Sequence, residues 1–201
     1  MTRSHARAAL LGILLIGPPT AAAQSPWAIG AGIGAPRFSG GATELATGRS
    51  LLPYRPTLLE VGFDRAGHRV GVGVWFHYAS SSIALEGSDG LAAIKDALTV
   101  YGAEPFVALR LTHLGPEGVL RLLTGPLLEV WKLQDVGSRT RIGVAAAMEL
   151  AVPFGGRWSG VARAGAAVTP SSPFTEADLD VGLEPRALWR REVAATLRYR
   201  L

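Results

Sequence analysis

Apolar and polar residues alternate one by one along several stretches of this chain, and this alternation limits the possible fold more than any other feature. Within Ile142–Val152 every even-numbered position is apolar, while the odd positions hold glycine, alanine and one glutamate. The same period of two runs through His68–Tyr78, Tyr101–Leu111 and the C-terminal Val193–Leu201. Because side chains on a β-strand alternate between two faces, this period indicates strands with one apolar and one polar face.

Four weaker stretches of the same kind complete the set: Trp27–Gly34, Leu58–Asp64, Leu120–Trp131 and Trp158–Ala166. We therefore count eight segments, each close to the roughly 9–11 residues that a tilted strand needs to cross a bilayer. The pattern predicts an all-β fold, an antiparallel up-and-down transmembrane barrel of eight strands.

The links between these segments are short on one side and mostly long on the other. Three links are tight turns that contain glycine: Asp64–Gly67, Leu114–Gly118 and Pro153–Arg157. Three others are long, and only the link around Asp135 is short on their side: Arg37–Arg55, Ala79–Leu98 and Pro170–Leu188. This arrangement predicts short periplasmic turns and longer extracellular loops.

Two segments of the predicted loops differ in character from the rest. Gly90–Leu98 has a helical composition, and Glu176–Asp180 is acidic. Surface loops carried on a rigid scaffold are common sites of recognition, so both segments are candidates for contact with external partners.

The first two dozen residues have the features of an export signal. Arg3 and Arg7 provide positive charge, an apolar run follows over Ala8–Gly17, and Ala21 and Ala23 form a small-x-small pattern. The apolar run is too short to cross a bilayer as a helix, so an uncleaved anchor is the weaker alternative. We predict a cleaved signal peptide over 1–23 and a mature outer-membrane domain over 24–201.

Composition excludes several classes of function. The formal net charge is +4, and loss of Arg3 and Arg7 would lower it to +2. The chain has no basic run, which argues against a nucleic-acid partner. The chain has no cysteine, so disulfides, thiolate catalysis and cysteine–metal sites are excluded. His68, His77 and His113 lack the spacing of metal ligands, and we expect neither a metal nor a cofactor.

The residue types on the two faces suggest which one is outside. The polar face holds small residues with isolated arginines and glutamates, which suits a narrow interior. The apolar face carries aromatic residues towards both ends, as lipid-facing barrel walls do. The predicted girdles are Trp27, Phe63, Trp158 and Tyr199 at the short-turn end, and Phe76, Tyr78, Tyr101 and Trp189 at the long-loop end. A secreted, soluble lipocalin-like barrel, with its apolar face inward around a ligand, remains the alternative.

The charges of the polar face pair up when the hairpins are placed in register. Around the link at Asp135, one register brings Glu129 opposite Arg141 and Glu149 opposite Arg121. The turn at Gly156 brings Glu149 opposite Arg163. Because unpaired charges inside a barrel are costly, we predict a lattice of ion pairs that fills the lumen. Its members are Arg121, Glu129, Arg141, Glu149 and Arg163, with Glu60, Glu104, Glu192 and Arg198 nearby.

One cluster on the inner face is a candidate pocket. Trp75, His77 and Trp131 are all expected to point inward near the loop end, where they either plug the lumen or line a shallow apolar pocket. His77 and Ser80 resemble the histidine–serine part of lipid A deacylase barrels, although the spacing differs. An outer-membrane lipid A hydrolase is therefore an alternative hypothesis, while our main interpretation assigns no catalytic residue.

The whole mature chain resembles the small eight-stranded outer-membrane barrels of the OmpA-transmembrane, OmpX and OmpW kind. Its last segment, Val193–Leu201, is similar to the C-terminal assembly signal of that family, with Tyr199 as the aromatic residue. It departs at Leu201, where the family usually has phenylalanine or tryptophan. The resemblance implies the β-barrel assembly machinery as a folding partner, contact with outer-membrane lipid and lipopolysaccharide, and a monomer.

The function predicted from these observations is that of a non-enzymatic outer-membrane barrel. Envelope integrity, surface interaction, and passage or binding of a small apolar solute all remain open within that class. The lipid A hydrolase and the soluble ligand-binding barrel are the two alternatives outside it.

Overall fold

The computed structural model describes residues 26–44, 47–87, 90–115, 118–134, 137–174 and 183–201, with the backbone alone at 94–96. These residues form eight strands: β1 (Trp27–Glu44), β2 (Ser50–Arg65), β3 (Val70–Gly87), β4 (Gly90–Leu114), β5 (Gly118–Leu133), β6 (Gly137–Gly155), β7 (Trp158–Thr169) and β8 (Leu183–Arg200). Residues 1–23, the predicted signal peptide, lie outside the described residues.

The strands form one closed sheet. Each strand pairs antiparallel with its neighbours in chain order, and β8 pairs with β1. This topology confirms the predicted up-and-down barrel of eight strands. Within the described part of the chain, no helix is long and apolar enough to cross a membrane.

The strands are staggered around the barrel. Following the register from Trp27 through each strand pair in turn leads back to β1 at Arg37, an offset of ten residues. A barrel of eight strands with such a stagger has strongly tilted strands and an interior just wide enough for its own side chains. Because of the tilt, residues at equal height on adjacent strands are offset from their register partners by roughly one residue.

The connections at the two ends of the barrel differ in length, but by less than the sequence predicts. At one end the connections 66–69, 115–117 and 156–157 are short and close to the predicted turns. At the other end β1 and β2 leave only 45–49 between them, and β3 and β4 only 88–89. The predicted long loops Arg37–Arg55 and Ala79–Leu98 are therefore wrong in most of their length, since the strands themselves extend past the alternating segments.

The helical composition of Gly90–Leu98 is misleading. This segment is the first part of β4, and its backbone pairs with β3, for instance at Ala92 opposite Leu85. Intrinsic helix propensity is a weak preference, and pairing along an existing strand overrides it. The acidic segment Glu176–Asp180 lies outside the described residues.

The exterior of the barrel is apolar and the interior is polar. Ile142 and Val193 are 69% and 61% exposed, whereas Glu149 has no exposed surface. The large apolar side chains thus point away from the barrel axis, and the charges lie within it. This is the opposite of a soluble ligand-binding barrel, so the lipocalin-like alternative is wrong.

Aromatic side chains stand on the exterior near both ends of the apolar band. Near the short turns Trp27 stacks on Phe63, with ring centres 4.9 Å apart, and Trp158 contacts Tyr199 at 4.7 Å. Tyr78 and Tyr101 pack at 5.3 Å towards the other end. The remaining exposed aromatic residues of the two predicted girdles are Phe76 and Trp189.

Candidate functional site in the lumen

The lowest tier of the lumen, nearest the short turns, is a neutral ring of four charged side chains from four strands. Arg121 donates from Nε to Glu149 Oε1 at 2.9 Å and from Nη1 to Asp64 Oδ2 at 2.8 Å. Arg198 donates from Nη2 to the same Glu149 oxygen at 2.9 Å, and its Nε lies 3.4 Å from Asp64 Oδ1. Each charge in this tier is therefore balanced by opposite charges on other strands.

The middle tier is built around Arg163. Its Nη2 donates to Glu60 Oε2 and to Glu192 Oε1, the latter at 3.1 Å. Thr196 donates from Oγ1 to the other Glu60 oxygen at 2.7 Å. The guanidinium carbon of Arg163 lies 4.8 Å from the centre of the Trp75 ring, which is a cation–π contact.

The upper tier is built around Arg190, which gathers three carboxylates. Its Nη1 donates to Glu129 Oε1 at 2.7 Å, its Nη2 donates to Glu104 Oε1, and its Nε lies 3.1 Å from Glu192 Oε2. His77 sits between Glu104 and Glu129, with ring nitrogens 3.5 and 3.7 Å from their oxygens. Since Glu192 also contacts Arg163 of the tier below, the middle and upper tiers form one network.

An apolar cap lies above the upper tier. Trp131 is almost fully buried, donates from Nε1 to Glu129 Oε2 at 3.0 Å, and meets the edge of Phe38 at 5.8 Å. Buried side chains of several strands and of the segment after β7 pack in the same cluster: Ala42, Leu58, Ala79, Leu98, Val100, Leu133, Phe174 and Leu188. The cap and the tiers below it thus fill the lumen with buried side chains of the described residues.

The segment after β7 is held over the lumen by two arginines of β6. Arg139 donates from Nη1 to the Pro173 carbonyl oxygen at 3.0 Å, and Arg141 donates from Nε to the Ser172 carbonyl oxygen at 2.7 Å. These contacts place the Phe174 ring, which is 2% exposed, in the apolar cap. Residues 172–174, which follow β7, therefore contribute to closing this end of the lumen.

The contacts of Arg141 correct the prediction that it forms an ion pair with Glu129. Glu129 and Arg141 are register partners on β5 and β6, as predicted. Their side chains do not pair, because both Glu129 oxygens bond to Arg190 and Trp131 while the Arg141 guanidinium bonds to backbone carbonyls. A register determines which backbone positions lie opposite each other. A long side chain, however, can pair with any suitable group within its reach.

The predicted ion pair between Glu149 and Arg163 is also absent. Glu149 and Arg163 are register partners on β6 and β7, again as predicted. Arg163 nevertheless bonds to Glu60 and Glu192, and Glu149 bonds to Arg121 and Arg198. The two residues are therefore opposite each other in the register, as predicted, but each forms its ion pairs with other residues across the lumen.

Sequence reasoning missed two members of the lattice, Arg190 and Asp64. Arg190 lies two residues before Glu192, and the outward-facing Trp189 beside it already implied an inward direction. Asp64 ends the inward series of Glu60 on β2, but it also begins the predicted turn Asp64–Gly67 and is not among the predicted members of the lattice. In both cases the period of two indicates an inward side chain, and the residue lies at the end of a predicted segment or just beyond it.

The three residues of the predicted pocket do not line one cavity. Trp75 packs with Phe106 beside the middle tier, His77 belongs to the upper tier, and Trp131 belongs to the cap. A small cavity of about 20 Å³ touches Trp75 without reaching His77 or Trp131. The side chains point inward as expected, but they lie at three successive heights because they come from different tiers of a tightly filled lumen.

The histidine–serine arrangement of a lipid A hydrolase is absent. His77 is buried in the lumen, whereas Ser80 is exposed on the opposite face of β3. Residues an odd number of positions apart on a regular strand face opposite sides, so these two cannot form a nucleophile–base pair. Among the residues with described placement, no cluster of three or more metal-ligating side chains occurs.

Below the lowest tier the barrel opens to the short-turn end as a basic vestibule. This cavity has a volume of about 140 Å³, and Arg121 and Arg198 lie among the residues that line it. Its wall also carries Arg110, Arg157 and Arg200. From this end, solvent reaches the neutral ring of the lowest tier.

Comparison with known proteins supports the fold. No family model and no curated protein sequence matches this chain. Among solved structures, Neisserial surface protein A superposes with a TM-score of 0.58 at 10% identity, covering 90% of this chain and all of that protein. The outer-membrane protein OprG from Pseudomonas aeruginosa superposes with a TM-score of 0.56 at 9% identity, covering 89% of this chain and 98% of that one. At these identities the likeness is one of fold, and the fold is that of small outer-membrane barrels.

Proposed function

We propose that the protein is a non-enzymatic outer-membrane barrel that serves as a closed, membrane-anchored scaffold. The observation that carries this proposal is the filled lumen, in which three tiers of ion pairs and an apolar cap replace a channel. The exposed apolar exterior supports insertion in a bilayer, since such a surface in water would aggregate. The long strand extensions at the end opposite the short turns would then display a surface outside the cell.

The proposal is tested by folding the full chain into lipid vesicles and planar bilayers. A folded barrel migrates differently on gel electrophoresis before and after heating, and the closed lumen predicts no steady single-channel conductance. A general porin in the same bilayers is the positive control. Stable ion-conducting steps from the folded protein would contradict a closed scaffold, and failure to insert would contradict the membrane assignment.

We infer the remaining features of this role from the sequence and the fold. Export by residues 1–23 and insertion by the β-barrel assembly machinery, which would read Val193–Leu201, are part of the proposal. The protein would be a monomer surrounded by outer-membrane lipid, with lipopolysaccharide in the outer leaflet. Depletion of the assembly machinery should therefore leave the unfolded chain in the periplasm.

A second candidate function, passage of a small apolar solute, is favoured by one irregularity of the barrel wall. The register of β4 and β5 runs from Ala103 opposite Leu128 to Val107 opposite Thr124, and the strand pairing is interrupted between these two points. In this interval the register places Pro105 opposite Pro126, and neither proline has an N–H to donate across the strands. The 20 Å³ cavity beside Trp75 and Phe106 lies behind this weak part of the wall.

Solute entry through that wall makes a separate prediction. Replacing both prolines by valine would restore two backbone donors and close the β4–β5 seam. If the seam admits apolar solutes, uptake of a small apolar fluorophore into proteoliposomes should fall in Pro105→Val/Pro126→Val and stay unchanged in Pro153→Val. Equal uptake by all three proteins, or by empty vesicles, would exclude this second function.

A further inference from the structure

Two arginines face the membrane side of the barrel wall directly opposite each other. Arg37 on β1 and Arg191 on β8 are register partners, and both side chains are exposed. The neighbouring pair Ser39 and Trp189 has the same outward direction. Like charges directly opposite on adjacent strands repel each other, so this pair is unfavourable unless an anion lies between them.

A third arginine stands on the next strand. The pairing of β1 and β2 stops after Gly34 opposite Leu58 and resumes at Ala42 opposite Leu51. Both Arg37 and Arg55 lie in this interval, and Arg55 is exposed as well. Arginines on β8, β1 and β2 thus form one outer-wall patch, which we call the arginine triad: Arg191, Arg37 and Arg55.

None of the three guanidinium groups is neutralised by the described residues. Arg37 donates to the carbonyl oxygen of its neighbour Pro36 at 3.0 Å, and Arg55 lies over the ring of its neighbour Tyr54 at 5.0 Å. No ion pair joins a described carboxylate to any of the three. This contrasts with Arg121, Arg163, Arg190 and Arg198 in the lumen, each of which contacts at least two carboxylates.

The backbone at the triad is strained. Arg55 has φ 45°, and among the residues that the structure describes it is the non-glycine residue with positive φ. Such a conformation is unfavourable for a side chain with a Cβ and tends to occur at binding sites. The Arg55 side chain is exposed on the exterior, on the strand next to Arg37.

The height of the triad identifies what surrounds it. Once the ten-residue stagger is taken into account, Arg191 lies at about the level of Tyr78, and Arg37 at about the level of Tyr101. Both tyrosines belong to the aromatic girdle farther from the short turns. In the orientation proposed above this girdle marks the boundary between acyl chains and headgroups of the outer leaflet.

We propose that the arginine triad binds the phosphorylated glucosamine headgroup of lipid A in the outer leaflet. This inference rests on the proposed membrane location and goes beyond it by assigning a site. A phosphate between Arg37 and Arg191 would accept charge-assisted hydrogen bonds from both and remove their repulsion. Arg55, one strand farther along the wall, would engage the same headgroup, while the flanking Trp189 packs at the acyl boundary.

Lipid A rather than a phospholipid of the inner leaflet is favoured by the position of the patch. The triad lies at the end opposite the short turns, which face the periplasm in barrels of this fold. Its three cations on adjacent strands match a bulky headgroup with more than one phosphate better than the single phosphate of a phospholipid.

The test is a titration of the folded barrel in detergent micelles with bisphosphorylated lipid A, read by native mass spectrometry. We expect Arg37→Gln/Arg191→Gln to weaken binding by about ten-fold, since at least one charge-assisted hydrogen bond is lost. The matched control is Arg65→Gln/Arg69→Gln, which removes the same charge from exposed positions at the short-turn end. Arg37→Lys/Arg191→Lys keeps the charge and should retain most of the binding.

Each outcome decides the inference. Selective loss in the Arg37/Arg191 variant, with wild-type protein preferring lipid A over its dephosphorylated form and over phosphatidylglycerol, supports it. Equal binding of phosphorylated and dephosphorylated lipid A by the wild type, a preference for phosphatidylglycerol, or equal loss in both glutamine variants would overturn it. Heat-dependent gel migration of every variant shows whether it has folded. A wild-type chain that never inserts would overturn the proposed function instead.

Discussion

Arg121 and Glu149 are register partners on β5 and β6, and they are joined by a hydrogen bond of 2.9 Å from Nε to Oε1 inside the closed barrel. The same Glu149 oxygen also accepts from Arg198 on β8, at 2.9 Å. Glu149 therefore balances two guanidinium groups that come from different sides of the lumen. One carboxylate oxygen is thus shared by both guanidinium groups of the lowest tier.

Replacing Glu149 should destabilise the barrel strongly. In Glu149→Gln the side chain keeps its shape, but Arg121 and Arg198 are left with one carboxylate, Asp64, for two buried cations. Loss of one partner from a buried ion-pair network costs about 3–5 kcal/mol. Urea unfolding of the protein in lipid vesicles, followed by tryptophan fluorescence, measures the change.

The control for this experiment is Glu184→Gln, an exposed glutamate at the start of β8. Its replacement should change the free energy of unfolding by no more than about 0.5 kcal/mol. Comparable stabilities of the two variants would show that the lowest tier of the lattice does not stabilise the fold.

The glycines of the inner face make a steric prediction. A Cβ at Gly102 would lie 1.9 Å from His77 Nε2, and His77 is confined by Glu104 and Glu129. Gly102→Ala should therefore displace the ring and destabilise the barrel by about 1–3 kcal/mol, as overpacking does in other tight interiors. The same unfolding assay detects the loss.

Gly155 provides the matched control, because a Cβ there has no atom within 4 Å. Gly155→Ala should leave stability nearly unchanged. If Gly102→Ala were as stable as Gly155→Ala, the upper tier around His77 would have to be looser than the structure shows.

The sequence predicted the backbone of this barrel well because two local rules determine it. The period of two assigns each residue to a face, and a short turn fixes the register of the hairpin that it closes. Glu129 opposite Arg141, Arg121 opposite Glu149 and Glu149 opposite Arg163 all follow from those rules, and all three oppositions are observed. The same rules place Arg37 opposite Arg191 only after the barrel closes, since β1 and β8 are far apart in sequence.

The partners of the inward side chains were predicted less well. Because the lumen is narrow, these side chains reach strands that are not adjacent to their own. Arg163 on β7 reaches Glu60 on β2, which is not an adjacent strand. Arg141 bonds instead to the segment after β7, whose position no strand pattern specifies. Local patterns describe neighbours along the sheet, whereas contacts across the interior depend on the curvature and stagger of the whole barrel.

The N-terminus gives a prediction that is independent of the barrel. If residues 1–23 are a signal peptide, the protein purified from outer membranes should begin at Gln24. Intact mass spectrometry distinguishes this product from the full chain. Replacing Ala21 and Ala23 by leucine should block cleavage, since signal peptidase requires small residues there. A membrane-inserted protein that still carries residues 1–23 would contradict the prediction.

The lipid A hydrolase hypothesis is open to a direct measurement. Because His77 lies in the lumen and Ser80 on the exterior, we expect the lipid A of cells that express the wild-type protein to keep its full set of acyl chains. Mass spectra of lipid A from cells with wild-type protein, Ser80→Ala and no protein should be identical. Ser80→Ala is the informative variant, because an exposed serine is removed without disturbing the lattice. A deacylated species that appears with the wild type and disappears with Ser80→Ala would mean that β3 adopts a different arrangement in the membrane, with histidine and serine on one face.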